Sequence, residues 1–285
     1  MSQFRVSPPR VFPEAERSSR PSNGAAGSAD AYRQMAFVLG ETMELVLDGL
    51  RLESSIASEA AGSRYRNVMV ASFLATGSRA WLSRLQALHA VEWGAYVSAV
   101  PLIVAAAEGE SACAVLMQED AASWSHWLES DGLSDLHEAH ATQYAWGDLP
   151  QSETIPDILA DVCAAAGELA KPSPGATVLL AGGESSAGRL SVTFADRDFH
   201  TALAELTSGW LLALGIAKVD LLLDASEVLP VSDPDALRHW KNSALNELAV
   251  QRRCRMERQE IDGVERYVVE NWRRSPTGAA RRIVL

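Results

Sequence analysis

The sequence predicts a mainly α protein, a helical bundle followed by a small α+β portion that ends in a β-hairpin, and three observations carry that prediction. Apolar residues recur at steps of three and four over most of the chain before residue 170. Between Lys171 and Gly188, two prolines and four glycines interrupt this rhythm. Near the end, Asp262-Gly263 separates two alternating segments, the signature of a tight hairpin.

The elements follow in chain order. Residues 1–29 are rich in Ser, Pro, Gly and Ala and hold few large apolar groups, so they read as a flexible tail. From Asp30, a plausible N-cap, Tyr32, Met35, Leu39, Met43, Val46 and Leu50 mark one face of a single helix. From about Arg64 a second helix aligns Val70, Leu74, Gly77, Trp81, Leu85 and Leu88. A third runs from about Trp93 to Gln118, with Pro101 expected to kink it or mark its true start. Shorter helices are expected at Ala121–Leu128 and Asp135–Tyr144, and a longer one at Ile155–Ala170.

Residues 30–170 therefore form the expected bundle and 171–285 a smaller α+β subdomain. In the latter, Arg189–Ala195 alternates as a short strand, and Phe199, Leu203, Leu206, Trp210 and Ala213 restore the helical step. Lys218–Asp224 fits either a strand or a continuation of that helix. Ser232-Asp233-Pro234 combines a capping side chain with a proline suited to the first turn of a helix. Arg255–Glu260 and Val264–Val269 are the hairpin strands, and Ile283–Leu285 can add a third.

Composition narrows the function classes. Cys113, Cys163 and Cys254 are too far apart in sequence for a zinc site or redox dithiol and read as reduced, buried thiols. No export signal opens the sequence, and the apolar runs Val97–Ala107 and Leu206–Ala217, 11 and 12 residues, fall short of the roughly 20 that cross a bilayer. A cytoplasmic location and no membrane association are expected.

The net charge of −12 is unevenly placed. No Lys or Arg lies between Arg84 and Lys171, while those 86 residues hold 14 carboxylates. Residues 251–285 hold nine Arg against five acids. Opposite patches of this kind steer and register an interface, so the two are expected to meet, within one chain or between protomers. With a sequence pI near 5.0, nucleic acid is not an expected partner.

Three constellations could carry chemistry. The first is Arg84 and His89, with four residues between them near the end of the second helix. Together with the helical hairpin and the small-residue helix Tyr96–Met117 containing Glu108, this pair makes residues 31–118 resemble the HEPN-like superfamily of bacterial helical domains. The resemblance implies, for its ribonuclease members, a metal-independent reaction in which the His and Arg act on the 2′-hydroxyl and scissile phosphate across a dimer interface. Leu85 stands where that family usually places a polar residue. The structural alternative makes Arg84 a helix-end charge and His89 partly buried.

The second is His126, His137 and His140 beside Asp135 and Glu138, where two histidines one helical turn apart could share a metal. Solvated or locally hydrogen-bonded histidines are the simpler account, and no cofactor is expected. The third is the glycine-flanked loop Gly182–Gly188, which lacks the Lys of a phosphate-binding loop and reads as a turn. The function expected from the sequence is a non-catalytic module for self-association or a protein partner, with a HEPN-like ribonuclease using Arg84 and His89 as the alternative.

Overall fold

The computed structural model describes residues 10–11, 15–22, 28–61, 68–117, 155–181, 188–189 and 191–285. Among them are eight α-helices followed by a three-stranded antiparallel sheet, so the protein is mainly α with a C-terminal hairpin. The helices are α1 (Ser28–Val38), α2 (Gly40–Glu59), α3 (Val68–Glu92), α4 (Tyr96–Leu116), α5 (Ile155–Ala170), α6 (Pro174–Ala181), α7 (Thr201–Asp224) and α8 (Pro234–Leu248). The strands are β1 (Arg255–Ile261), β2 (Val264–Trp272) and β3 (Arg281–Val284). The helices expected at Ala121–Leu128 and Asp135–Tyr144 lie outside the described residues.

The single first helix of the sequence reading is two. Leu39, at φ −127° and ψ 22°, leaves helical geometry between α1 and α2. The bonds from Leu39 N to Met35 O and from Met43 N to Leu39 O, both 2.9 Å, keep the chain wound through the break. Asp30 is not the cap. It sits in the first turn of α1, where a carboxylate favours the positive end of the helix dipole and accepts hydrogen bonds from Arg33 and Gln34.

Helix α4 begins at Tyr96, ahead of Pro101, so the proline neither starts it nor ends it. Placed early in the helix, it removes only the bond its missing N–H would make to Val97 O. Lys171–Gly188 is not continuously broken either. Ser173 Oγ accepts from Ala176 N at 3.2 Å and caps α6, which opens on Pro174, a residue suited to the first turn. Residues 191–195 are irregular rather than the expected strand. Lys218–Asp224 continues α7.

Helix α7 is the axis of the protein, buried on nearly every side, and α2, α3, α4, α5 and α8 pack around it. The core is continuous across the boundary expected near Lys171: Leu88, Ile103, Leu159, Leu179, Leu212 and Trp240 all belong to it. Close approach of α8 depends on glycine. A Cβ added at Gly49 of α2 would stand 2.5 Å from Cζ2 of Trp240, and one at Gly215 of α7 would stand 2.6 Å from the adjacent Cη2. The indole N–H donates to Leu45 O at 2.8 Å, so Trp240 is clamped between two helices and satisfied at its polar tip.

At α8 the sequence expectation holds in detail, because Asp233 Oδ1 accepts from Ala236 N at 2.9 Å and Pro234 opens the helix. The hairpin register pairs Ile261 with Val264 around Asp262 and Gly263, both at positive φ (54° and 76°), the conformation an Asp-Gly turn supplies. β3 pairs with β2, Val269 opposite Ile283 and Trp272 opposite Arg281, across a bulge. In the bulge Asn271 takes φ 58° and its side-chain amide donates to Gln251 O and Arg253 O.

The tail reading does not extend to residues 15–22, which lie as a strap over α2 and α3. Ser18 N and Oγ donate to Glu92 Oε2 at 2.8 and 2.7 Å, and Arg17 pairs with the other oxygen of that fully buried carboxylate. Tyr32 donates to Ser18 O and Trp93 Nε1 to Ser19 O.

Candidate functional site

Four charged side chains meet in the interior, one from each of four helices: Glu53 of α2, Arg84 of α3, Glu110 of α4 and Lys218 of α7. Arg84 Nη1 donates to Glu53 Oε1 at 2.7 Å and Nη2 pairs with Oε2, a two-pronged contact that fits the planar guanidinium. Arg84 Nη2 also stands 3.2 Å from Glu110 Oε1, and Lys218 Nζ donates to Glu110 Oε2 at 2.9 Å. Lys218 completes its surroundings 4.7 Å above the Phe73 ring.

Burial and pairing oppose one another throughout this tetrad. For Arg84 and Lys218, burial works against the cation, yet the flanking carboxylates outweigh it and both pKa values rise. For Glu53 burial wins, and its pKa lies above the ordinary carboxylate value despite Arg84. Cys113, beside the cluster on α4, is pushed up to about 12, chiefly by burial, and stays a thiol.

Two members of the tetrad, Glu53 and Lys218, line a cavity of about 510 Å³ between α2, α3 and α7. Its walls are apolar, from Ile56, Ala57, Leu74, Trp81 and Leu222 among others, and Arg10 and Val11 of the N-terminal segment also line it. Glu53 and Lys218 are its buried charges. This volume falls within the range of about 300–1,000 Å³ typical of small-molecule sites, which are also mostly apolar with a few placed polar groups. A notch beside His200, Tyr96 and Arg274 has about 10 Å³, room for about one water. His200 there caps α7 through Nδ1 and leans on Trp272, its centroid 4.7 Å away.

Arg84 and His89 are not brought to one cleft. Arg84 is no helix-end charge: it is 2% exposed and both terminal nitrogens face Glu53. His89 is half-buried under the strap, its Nε2 2.8 Å from Glu16 O. His126, His137 and His140, and Gly182–Ala187 of the glycine loop, lie outside the described residues. Among the described residues no group of three or more His, Cys, Asp or Glu is placed to hold a metal ion.

Among the described residues, the ion pairs of the Arg-rich tail are made outside the acidic stretch. Arg273 pairs with Glu205, Arg253 with Glu247, Arg258 with Glu265 and Arg282 with Glu270. Asp161 of α5 does feel Arg258, where α5 packs on β1. Two helices are long and apolar enough to cross a membrane by length and composition, in the segments Tyr96–Ala114 and Thr201–Glu227. They exceed the apolar runs seen in sequence because each continues through charged residues; the second is 89% buried inside the protein and carries Lys218.

The sequence reading missed Glu53, Glu110 and Lys218. Their signal was positional. Glu53 follows Val46 and Leu50 at the helical step, and Lys218 sits between Leu214 and Leu221, so both occupy core-facing positions of apolar helices. Comparison with known proteins finds no matching family model, no matching curated protein and no matching solved structure, and nothing in it bears on the likeness to HEPN-like domains.

Proposed function

We propose that the protein is a non-catalytic helical binding module whose ligand is a small, largely apolar molecule held in the cavity between α2, α3 and α7. The observation that carries this reading is the coincidence of an apolar chamber of about 510 Å³ with a floor of buried, mutually compensated charges. Open on one side and walled by half-buried Leu74, Trp81, Ala57 and Ala71, the chamber leaves apolar surface in water that a ligand would cover. Arg84, committed to Glu53 and Glu110, is in this reading a structural member of the ion network behind the cavity, and His89 fastens the strap.

The test is a titration with the apolar fluorophore N-phenyl-1-naphthylamine. Saturable enhancement with one site per chain is expected. Ala57→Trp and, as a second variant, Ala71→Trp narrow the cavity from opposite walls and abolish it, while far-ultraviolet circular dichroism and Tm show the fold retained. Absence of saturable binding by the wild-type protein overturns the reading.

Self-association is a second reading, favoured by large apolar side chains left in solvent: Phe37 of α1 is 91% exposed and Phe194, in the irregular segment after α6, is 97% exposed. Sedimentation across a wide concentration range tests it. A dimer lost in Phe194→Ser or Phe37→Ser supports it, and a monomer throughout ends it.

A further inference from the structure

We infer that the cavity accepts an uncharged molecule bearing a hydrogen-bond acceptor at one end, a ketone or ester rather than a carboxylate, and that Lys218 Nζ is the donor that seats it; this rests on the cavity reading above. Lys218 lines the chamber and is almost wholly buried. An ammonium has three N–H donors. Among the described residues the contacts of Lys218 Nζ are Glu110 Oε2 at 2.9 Å and the face of Phe73, so donor capacity remains on the side of the cavity.

Gly77 keeps that donor within reach. A Cβ at this position would stand 2.9 Å from Nζ, so its absence leaves the notch through which an acceptor approaches. Charge sets the class of head group. The buried charges on the lining, Glu53 and Lys218, balance one another, and Arg84 and Glu110 pair with them from behind. At this buried end a ligand carboxylate would add an uncompensated charge and face Glu53; the other cation on the lining, Arg10, is exposed to solvent. A neutral carbonyl takes the free donor without that penalty. Leu74, Trp81 and Leu222 then receive the apolar body.

The experiment is displacement of bound N-phenyl-1-naphthylamine by decane, decan-2-one and decanoate at about pH 8, where the acid is ionised. Decan-2-one is expected to displace the probe at a concentration on the order of tenfold below either of the others, the size of one hydrogen bond to a charged donor. In Gly77→Ala, a substitution that favours helix and leaves the rest of the chamber open, the probe should still bind while the advantage of the ketone over decane disappears. Equal displacement by decane and ketone in the wild-type protein would overturn the role of Lys218, and tightest binding by decanoate would overturn the neutral head group. Both results leave the cavity reading standing, whereas a probe that never binds removes that reading and this one together.

Discussion

Lys218 Nζ meets Glu110 Oε2 at 2.9 Å across 108 positions of chain, joining α7 to α4 at the floor of the cavity. Each charge was taken out of water on folding, and each is tolerable only while its partner stays. Removing one partner of a buried pair typically costs about 3–5 kcal/mol, whereas replacing both by apolar groups of similar volume is near neutral or stabilising. Lys218→Met is therefore expected to lose about 3–5 kcal/mol, and Lys218→Met with Glu110→Met to recover most of it. Urea unfolding of the two single variants and the double variant measures the coupling; additive losses would contradict it.

Trp240 makes a prediction of opposite character, about crowding rather than charge. Alanine favours helix over glycine by about 1 kcal/mol, so Gly215→Ala in an open helix would stabilise. Here the new methyl would drive into the indole, and overpacking of about 1–3 kcal/mol decides the sign. Net destabilisation is expected. Combining Gly215→Ala with Trp240→Leu should cost less than the sum of the two, because the smaller side chain has already left the contested space. Thermal unfolding monitored by near-ultraviolet circular dichroism checks both.

His200 supplies the pH dependence. Burial, and then the Arg274 cation, bring its pKa down to about 4, with Asp196 acting in the other direction. A histidine whose folded value lies below its unfolded value binds its proton better when unfolded. Its stabilising contribution is thus complete above the usual range near 6.5 and is lost as pH falls toward about 4, on the order of 3 kcal/mol in all. His200→Asn keeps an acceptor to cap α7 and does not titrate. Between about pH 6.5 and 4 the variant should show a shallower fall in urea midpoint than the wild-type protein; parallel curves would be evidence against this assignment.

The strap can be released without unfolding the bundle. Glu92→Leu replaces a fully buried carboxylate by an apolar group and withdraws the acceptor used by Ser18 and Arg17. Trypsin should then cut after Arg17 on the order of tenfold faster than in the wild-type protein, with cleavage elsewhere unchanged; the next arginine, Arg20, precedes Pro21 and is not a tryptic site. A wild-type rate at Arg17 would mean that Tyr32, Arg51, His89 and Trp93 suffice to hold the segment.

What the sequence disclosed and what it hid divide along a physical line. The α2 face, the start of α8 at Asp233-Pro234 and the Asp262-Gly263 hairpin were legible because each depends on residues within a turn or two of one another. The stripe read on α3 holds at Val70, Gly77, Leu85 and Leu88, which are buried, but it omitted the buried Phe73, Ala80 and Arg84, and its Leu74 and Trp81 are half-exposed and face the cavity. Hydrophobicity alone placed Leu74 inward and Arg84 outward, since the carboxylates that admit an arginine to the core lie 31 residues before it, at Glu53, and on another helix at Glu110. The strap failed for a similar reason. Composition marks residues 15–22 as unable to bury much apolar surface, and what anchors them is a hydrogen-bonded carboxylate 74 positions from Ser18.

Because the interior ion network draws one member from each of α2, α3, α4 and α7, no pair of these helices neutralises it alone. An intermediate with α3 and α4 docked but α7 detached would hold Glu110 without its ammonium, and one lacking α2 would hold Arg84 without its two-pronged carboxylate. Such partly assembled states are raised in energy relative to both the fully formed and the fully solvated chain. The network thus acts as a cooperativity device, making loss of any one of the four helices tantamount to loss of all.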